Sequence, residues 1–329
     1  MMNGCANIKL RPYQVLCIVC SIGEGKYLEL KDKKLKQVLD AIRKDPNLPV
    51  TLQCNVSSIY RYQNPGIDND SSEGSLYNIK RDLDILQKLG LAPGATMPAR
   101  KLFIRLLKEI KTVKGICFYE NETSRAWEGC AKAKNGYYEK VLEKGISEII
   151  PARSEDEKSK DKKESAKKIY SAKKLFIRPH HLMCVTCFLG RGFTAPIKED
   201  NLYEVLDVVC KNPDIPITLI EGCCMICPPC SGYEPGTNLC VASCGLRDEK
   251  KDLDVLQKLG LVYGATMKAR KIYCLLFERI RTGAEICGYG NEETTSPEWT
   301  ICNGVKDKAY EKGREMLIKK IACYQHKRK

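Results

Sequence analysis

The second half of this 329-residue chain restates the first. Arg11-Pro12-Tyr13-Gln14-Val15-Leu16-Cys17-Ile18-Val19-Cys20 aligns with Arg178 to Cys187 at an offset of 167, and Leu48-Pro49-Val50-Thr51-Leu52 aligns with Ile215-Pro216-Ile217-Thr218-Leu219 at the same offset. Asp82 to Lys101 aligns with Asp252 to Lys271 at an offset of 170, with 16 of 20 positions identical. Any fold for the chain must therefore be one module made twice. The expected divisions are a degenerate module over 1–150, a charged linker over 151–174 and a cysteine-rich module over 175–329.

Each module reads as mainly α, an α+β unit with one short strand, so the expected molecule is two pseudo-symmetric helical modules with a cysteine-rich loop in the second. Pro12 and Pro179 suit the first helical position, and Gly23 and Gly190 are expected to end these helices. Second helices are expected at 31–44 and 202–211, then strands at 50–53 and 217–220, rich in β-branched residues and bounded by proline. A lone strand cannot form a sheet, so the two are expected to pair with each other or with a short partner. Helices over 82–89 and 252–259 end at Gly90 and Gly260, and Thr96 and Thr266 are expected to cap the next helices. On those helices Leu102, Phe103, Leu106, Leu107 and Ile110, echoed by Ile272, Tyr273, Leu276, Phe277 and Ile280, mark one apolar face as core. Cys274 shares that face and reads as a buried thiol. The stretch 151–174, with nine basic and five acidic residues, reads as a solvated linker, helical at most in part.

Cysteine is the unusual residue, with 19 copies. Cys223, Cys224, Cys227, Cys230, Cys240 and Cys244 fall within 22 residues, in a loop that also holds Pro228, Pro229, Gly232, Pro235 and Gly236. The C-x2-C-x2-C run from Cys224 to Cys230, with proline after Cys227, suits an iron–sulfur cluster of the 4Fe–4S type better than zinc. Thiolates two residues apart reach neighbouring iron corners, whereas zinc sites favour two separated pairs. Zinc remains the alternative cofactor.

Comparison of the halves separates two groups of cysteines. Cys17, Cys20, Cys117 and Cys130 match Cys184, Cys187, Cys287 and Cys302, so each module can build one four-thiolate site. The dense loop has no such match, because Val56, Ser57, Tyr60 and Gln63 stand near those positions and only Cys54 is close by. Two allotments are open in the second module. In one, Cys184 joins Cys224, Cys227 and Cys240, leaving Cys187, Cys230, Cys287 and Cys302; in the other, Cys224, Cys227, Cys230 and Cys240 form one set and the shared four the second. His180 and His181 sit beside Arg178, all three candidates for cofactor contact. Adjacent helical residues point about 100° apart, so at most one of the two rings faces a cluster. The expected role is to cap the helix or to donate a ring N–H to a cluster sulfur or a carbonyl.

Arg178-Pro179-His180-His181-Leu182-Met183-Cys184, then Cys224-Met225-Ile226-Cys227-Pro228, Cys240, and Asp254-Val255-Leu256 leading to Leu259-Gly260-Leu261 resemble the prokaryotic domain of unknown function 1284. The resemblance covers most of 175–302, and the first half looks like the same domain with much of the motif worn away. It implies iron–sulfur binding on Cys184, Cys224, Cys227 and Cys240, with no reaction attached. Cys223, Cys230 and Cys244 are departures from that pattern.

The formal charge of +14 raises the question of nucleic acid. Each four-thiolate cluster would contribute about −2, lowering the net to about +8 to +10, and the remaining basic excess is spread along the chain. There is no signal or transit segment and no membrane span, so the expected compartment is a reducing cytoplasm where thiols serve as metal ligands. Phosphate-cradling loops, dinucleotide fingerprints, nucleophile elbows and His-rich hydrolase motifs are missing. The sequence thus points to an iron–sulfur protein that carries electrons to a redox protein partner or serves as a redox subunit. The alternatives are a zinc-stabilised nucleic-acid-binding module and an iron–sulfur enzyme with an open site near His180 and His181.

Overall fold

A computed structural model describes residues 7–25, 33–56, 63–121, 123–235, 239–240, 245–294 and 296–323. Cys244, Gly236, Ser57 and Tyr60 lie outside the described residues, as does the expected helix start at Lys31. The chain divides into two compact units, Met1–Ala152 and Arg153–Lys329. Both are mainly helical with small sheets of short strands. Among the described residues no helix is long and apolar enough to cross a membrane.

The first unit runs β1 (Ile8–Leu10), α1 (Pro12–Gly23), α2 (Lys33–Lys44), β2 (Pro49–Leu52), α3 (Ser75–Leu89), β3 (Thr96–Pro98), α4 (Ala99–Glu109) and α5 (Tyr137–Lys144). The second opens with α6 (Glu155–Tyr170) and then follows the same order through β4 (Leu175–Ile177), α7 (His181–Gly190), α8 (Leu202–Lys211) and β5 (Pro216–Leu219). A hairpin of β6 (Tyr233–Glu234) and β7 (Leu239–Cys240) comes next, then α9 (Leu246–Leu259), β8 (Thr266–Lys268) and α10 (Ala269–Arg279). Two short helices, α11 (Ala284–Cys287) and α12 (Asn303–Lys306), precede α13 (Ala309–Lys320).

Each unit has a three-stranded sheet where one strand was expected. The expected strand is central: β2 pairs parallel with β1 and antiparallel with β3, and β5 does the same with β4 and β8. β2 and β5 therefore find short partners inside their own units instead of pairing with each other. Thr96 and Thr266 do not cap helices. They lie on the edge strands and meet Thr51 and Thr218 through hydroxyl contacts of 2.6 and 2.7 Å, while Pro98 and Lys268 take the cap positions. Threonine pairs across a ladder contribute to sheet stability in this way. Gly90 and Gly260 do end α3 and α9 in the left-handed conformation, φ 62° and 68°. The apolar face of α4 and its copy on α10 are both buried.

Two further expectations, on Pro179 and Cys274, are corrected, and a third, on Gly190, holds with an added role. Pro179 is not in a helix; it sits in the turn before α7, wound by bonds from the His181, Leu182 and Met183 N–H groups to carbonyls three residues back. Gly190 ends α7 in an ordinary right-handed conformation, and its role is close approach: a Cβ there would run into the Ala309 carbonyl oxygen of α13, and one at Gly313 into that of Thr186. Cys274 is half-buried and disulfide-bonded to Cys323, just beyond α13.

The charged stretch is not a solvated linker. Ser154 and Glu157 form a reciprocal capping box, acidic residues fill the first turn and lysines the last, so α6 is held at both ends by its own charges. Its inner face buries Ser165 and Ile169, Asn201 donates to the Ser165 hydroxyl at 2.8 Å, and Lys162 pairs with Glu204 at 2.6 Å. Arg153, ahead of the helix, donates to the carbonyls of Pro228, Cys230 and Tyr233 at 2.9 to 3.2 Å. The segment thus belongs to the second unit and braces its cysteine loop.

Candidate metal centre

The site in each unit starts from a buried ion pair that the sequence repeats. Arg11 Nε donates to Asp82 at 2.7 Å, and Arg178 donates to Asp252 through Nε at 2.8 Å and Nη2 at 2.6 Å. The same carboxylates accept the backbone N–H of Tyr13 and of His180, each at 2.9 Å. A side chain from α3 or α9 thereby satisfies an orphan donor at the start of the preceding helical segment and fixes where α1 and α7 point.

With α7 fixed, Cys184 and Cys187 share one of its faces, three residues apart. Cys287 ends α11 and Cys302 caps α12, joined by a backbone bond from the Cys302 N–H to the Cys287 carbonyl of 3.4 Å. A Cβ at Gly304 would lie 3.4 Å from the Cys187 sulfur and 3.7 Å from that of Cys302. Burial and neighbouring thiols push Cys184 well up and Cys187 to about 12, while Cys302, accepting from Cys287 and from the Gly304 N–H, is drawn down to about 5. Lys251, buried beside them, lowers Cys184, Cys287 and Cys302.

The first unit repeats this arrangement. The Cys130 N–H donates to the Cys117 carbonyl at 2.8 Å, and burial pushes Cys17 and Cys117 up to about 12. Arg81, the positional counterpart of Lys251, sets its guanidinium 3.9 Å from the Tyr13 ring centre and lowers both Cys17 and Cys117. Each four-thiol set thus has one buried cation beside it. Buried neutral thiols deprotonate when a metal binds, and a fixed cation offsets part of the charge that results.

The loop cysteines are arranged differently. His181 Nδ1 lies 3.2 Å from the Cys224 sulfur and 4.0 Å from that of Cys227, and the two sulfurs are 3.9 Å apart. The Cys227 thiol is held far down by hydrogen bonds from Cys223 and Cys224 and by His181 beside it. Cys230 accepts from the Gly232 N–H at 3.4 Å, and Cys240 donates to Asp248 at 3.3 Å. A cavity of about 270 Å³ is lined by Cys184, Cys287 and Cys302 together with Cys223, Cys227, Cys230 and Cys240, and by His180, His181, Arg178 and Lys251.

The structure therefore brings the shared four cysteines together and keeps Cys224 and Cys227 with His181. Among the described residues, the trios compact enough to surround one ion are His180 with His181 and Cys184, and His181 with Cys224 and Cys227. The shared sets are more open, as a multi-iron cluster requires of its four thiolates. Arg178 and His180 serve the Asp252 network, whereas His181 faces a sulfur. Sequence reasoning missed Asp252, Asp248, Lys251 and Arg81. The signal for Asp252 was present, since Asp82 and Asp252 match between halves just as Arg11 and Arg178 do.

No protein-family model, curated protein or solved structure matches the chain.

Proposed function

We propose that this is an iron–sulfur protein carrying one 4Fe–4S cluster per unit, on Cys17, Cys20, Cys117 and Cys130 and on Cys184, Cys187, Cys287 and Cys302, and that it exchanges electrons with a redox protein partner. The observation that carries this reading is the repetition of the whole arrangement: four convergent thiols and a buried cation in both units, although much of the intervening sequence has diverged. A cluster bound there supplies a one-electron couple. The chain's part is to hold the thiolates, offset their charge through Arg81 or Lys251 and limit water. Cys17, Cys20, Cys130, Cys184, Cys187 and Cys302 are mostly covered but keep some solvent exposure, which leaves the sites near enough to the surface for exchange with a docked partner. The described cystine, Cys274–Cys323, draws on neither set, so all eight thiols remain free for metal.

The test is purification of the full chain without oxygen, with iron and acid-labile sulfide analysis and EPR of the reduced protein. About eight iron and eight sulfide per chain are expected, four for each cluster. Zinc without acid-labile sulfide would overturn the proposal.

A further inference from the structure

The geometry points to a third metal site of another kind: His181, Cys224 and Cys227, closed by Cys223, hold a single zinc ion. Tetrahedral zinc, with Zn–S of about 2.3 Å and Zn–N of about 2.0 Å, sets its sulfurs about 3.8 Å apart and its sulfur–nitrogen pairs about 3.5 Å apart. The observed separations are 3.9 Å for Cys224 to Cys227, and 3.2 and 4.0 Å from His181 Nδ1 to the two sulfurs. Three ligand atoms thus already outline the shell of one ion. Corner thiolates of a cubane bind different irons and stand farther apart.

The fourth ligand falls to Cys223, whose thiol neighbours that of Cys227 but lies outside the compact trio of His181, Cys224 and Cys227, so a turn of its side chain closes the shell. The loop also carries the outer bonds that a compact thiolate site needs. The Cys224 N–H donates to the Cys227 sulfur at 3.3 Å, the Ile226 N–H to the Cys224 sulfur at 3.5 Å, and the Cys227 N–H to the Cys224 carbonyl at 3.0 Å. Such donors orient the sulfurs and disperse their charge. Cys230 and Cys240 are turned to the Gly232 N–H and to Asp248, and the proposal assigns them no ligand role.

The site belongs to the second unit alone. At an offset of 167, His181 is answered by Gln14, and Cys223, Cys224 and Cys227 by Val56, Ser57 and Tyr60. Its effect is mechanical: it ties the start of α7, and with it Cys184 and Cys187, to the loop that walls the cavity.

The test uses the full chain purified without oxygen, with zinc, iron and sulfide measured together on wild type, His181→Ala, His181→Cys and Cys224→Ser. Loss of about one zinc per chain in His181→Ala and Cys224→Ser, with iron and sulfide unchanged, is the expected result. His181→Cys, which keeps four ligands, retains the zinc. Cobalt(II) added to the zinc-stripped wild type gives the visible bands of a tetrahedral thiolate site, a readout that does not depend on the variants folding. A fall in iron and sulfide in Cys224→Ser, zinc content indifferent to both substitutions, or octahedral cobalt spectra would overturn the assignment. It does not rest on the clusters, since a chain devoid of sulfide that still lost one zinc in His181→Ala would support it.

Discussion

Asp252 accepts two bonds from the Arg178 guanidinium, one from the His180 backbone and one from His180 Nδ1 at 2.8 Å, and it is closed to water. Removing one partner of a buried pair leaves the other charge uncompensated, at a cost of about 3–5 kcal/mol. Asp252→Ala is therefore expected to destabilise the second unit by that amount in denaturant unfolding. His180 adds a pH dependence. Burial lowers it to about 4, more than its bond to Asp252 raises it, so the folded state holds a neutral ring that donates its Nδ1 proton to the carboxylate. The unfolded ring takes up a proton near pH 6.5, about where free histidine titrates. This stability is thus present above that pH and is lost as pH falls from about 6.5 to about 4, at about 1.4 kcal/mol per pH unit. Asp248, buried but drawn down to about 2 by His180, Arg247, Lys251 and Arg178, adds a further loss below about pH 4. Unfolding of His180→Gln between pH 6.5 and 4.5 should lack the first slope, and an unchanged slope would refute the assignment.

At the scale of elements, the sequence marks what is periodic and hides what is short or long-range. The apolar faces of α4 and α10 and the glycine ends of α3 and α9 were legible because each follows a local rule. β1, β3, β4 and β8 have three residues apiece, too few for an alternation to show, and they exist through pairing with β2 and β5. α6 was hidden by composition, since Ser165 and Ile169, four residues apart, are its buried residues among lysines and acids. The grouping of Cys184 and Cys187 with Cys287 and Cys302 was legible from the repeat as one of two allotments, and favouring it over the other needed the fold, because spacing across a hundred residues carries no geometry. Gly190 ends α7 as its sequence predicts, but its close approach to α13 was not legible, because a helix-stopping glycine and a helix-contacting one look alike in sequence. Gly313→Ala forces a methyl group into the Thr186 carbonyl, and overpacking of this kind costs about 1–3 kcal/mol. Thermal unfolding should show that loss, together with lower iron occupancy, because the displaced helix carries Cys184 and Cys187. Glu315→Ala, exposed on the same helix, should stay within about 0.5 kcal/mol of wild type.

For the whole molecule, the division of labour follows from the two cores. One is built from residues between Leu10 and Ile150 and the other from residues between Ile169 and Ile321, so each unit has the means to order its own thiols. The proposed metals then partition unequally, one cluster in the first unit and a cluster plus zinc in the second. Charge follows the same division: about −2 for each cluster and about −1 for three thiolates and an imidazole on zinc, taking the formal +14 of the metal-free chain to about +9. Replacing Cys17 and Cys20 together by serine is expected to remove half of the iron and sulfide, leave the zinc untouched and preserve the second unit's EPR signal. The Cys184→Ser, Cys187→Ser pair should remove the other half. Loss of all iron from either double variant would mean that the two sets build one shared centre, and separate cores would no longer account for the repeat.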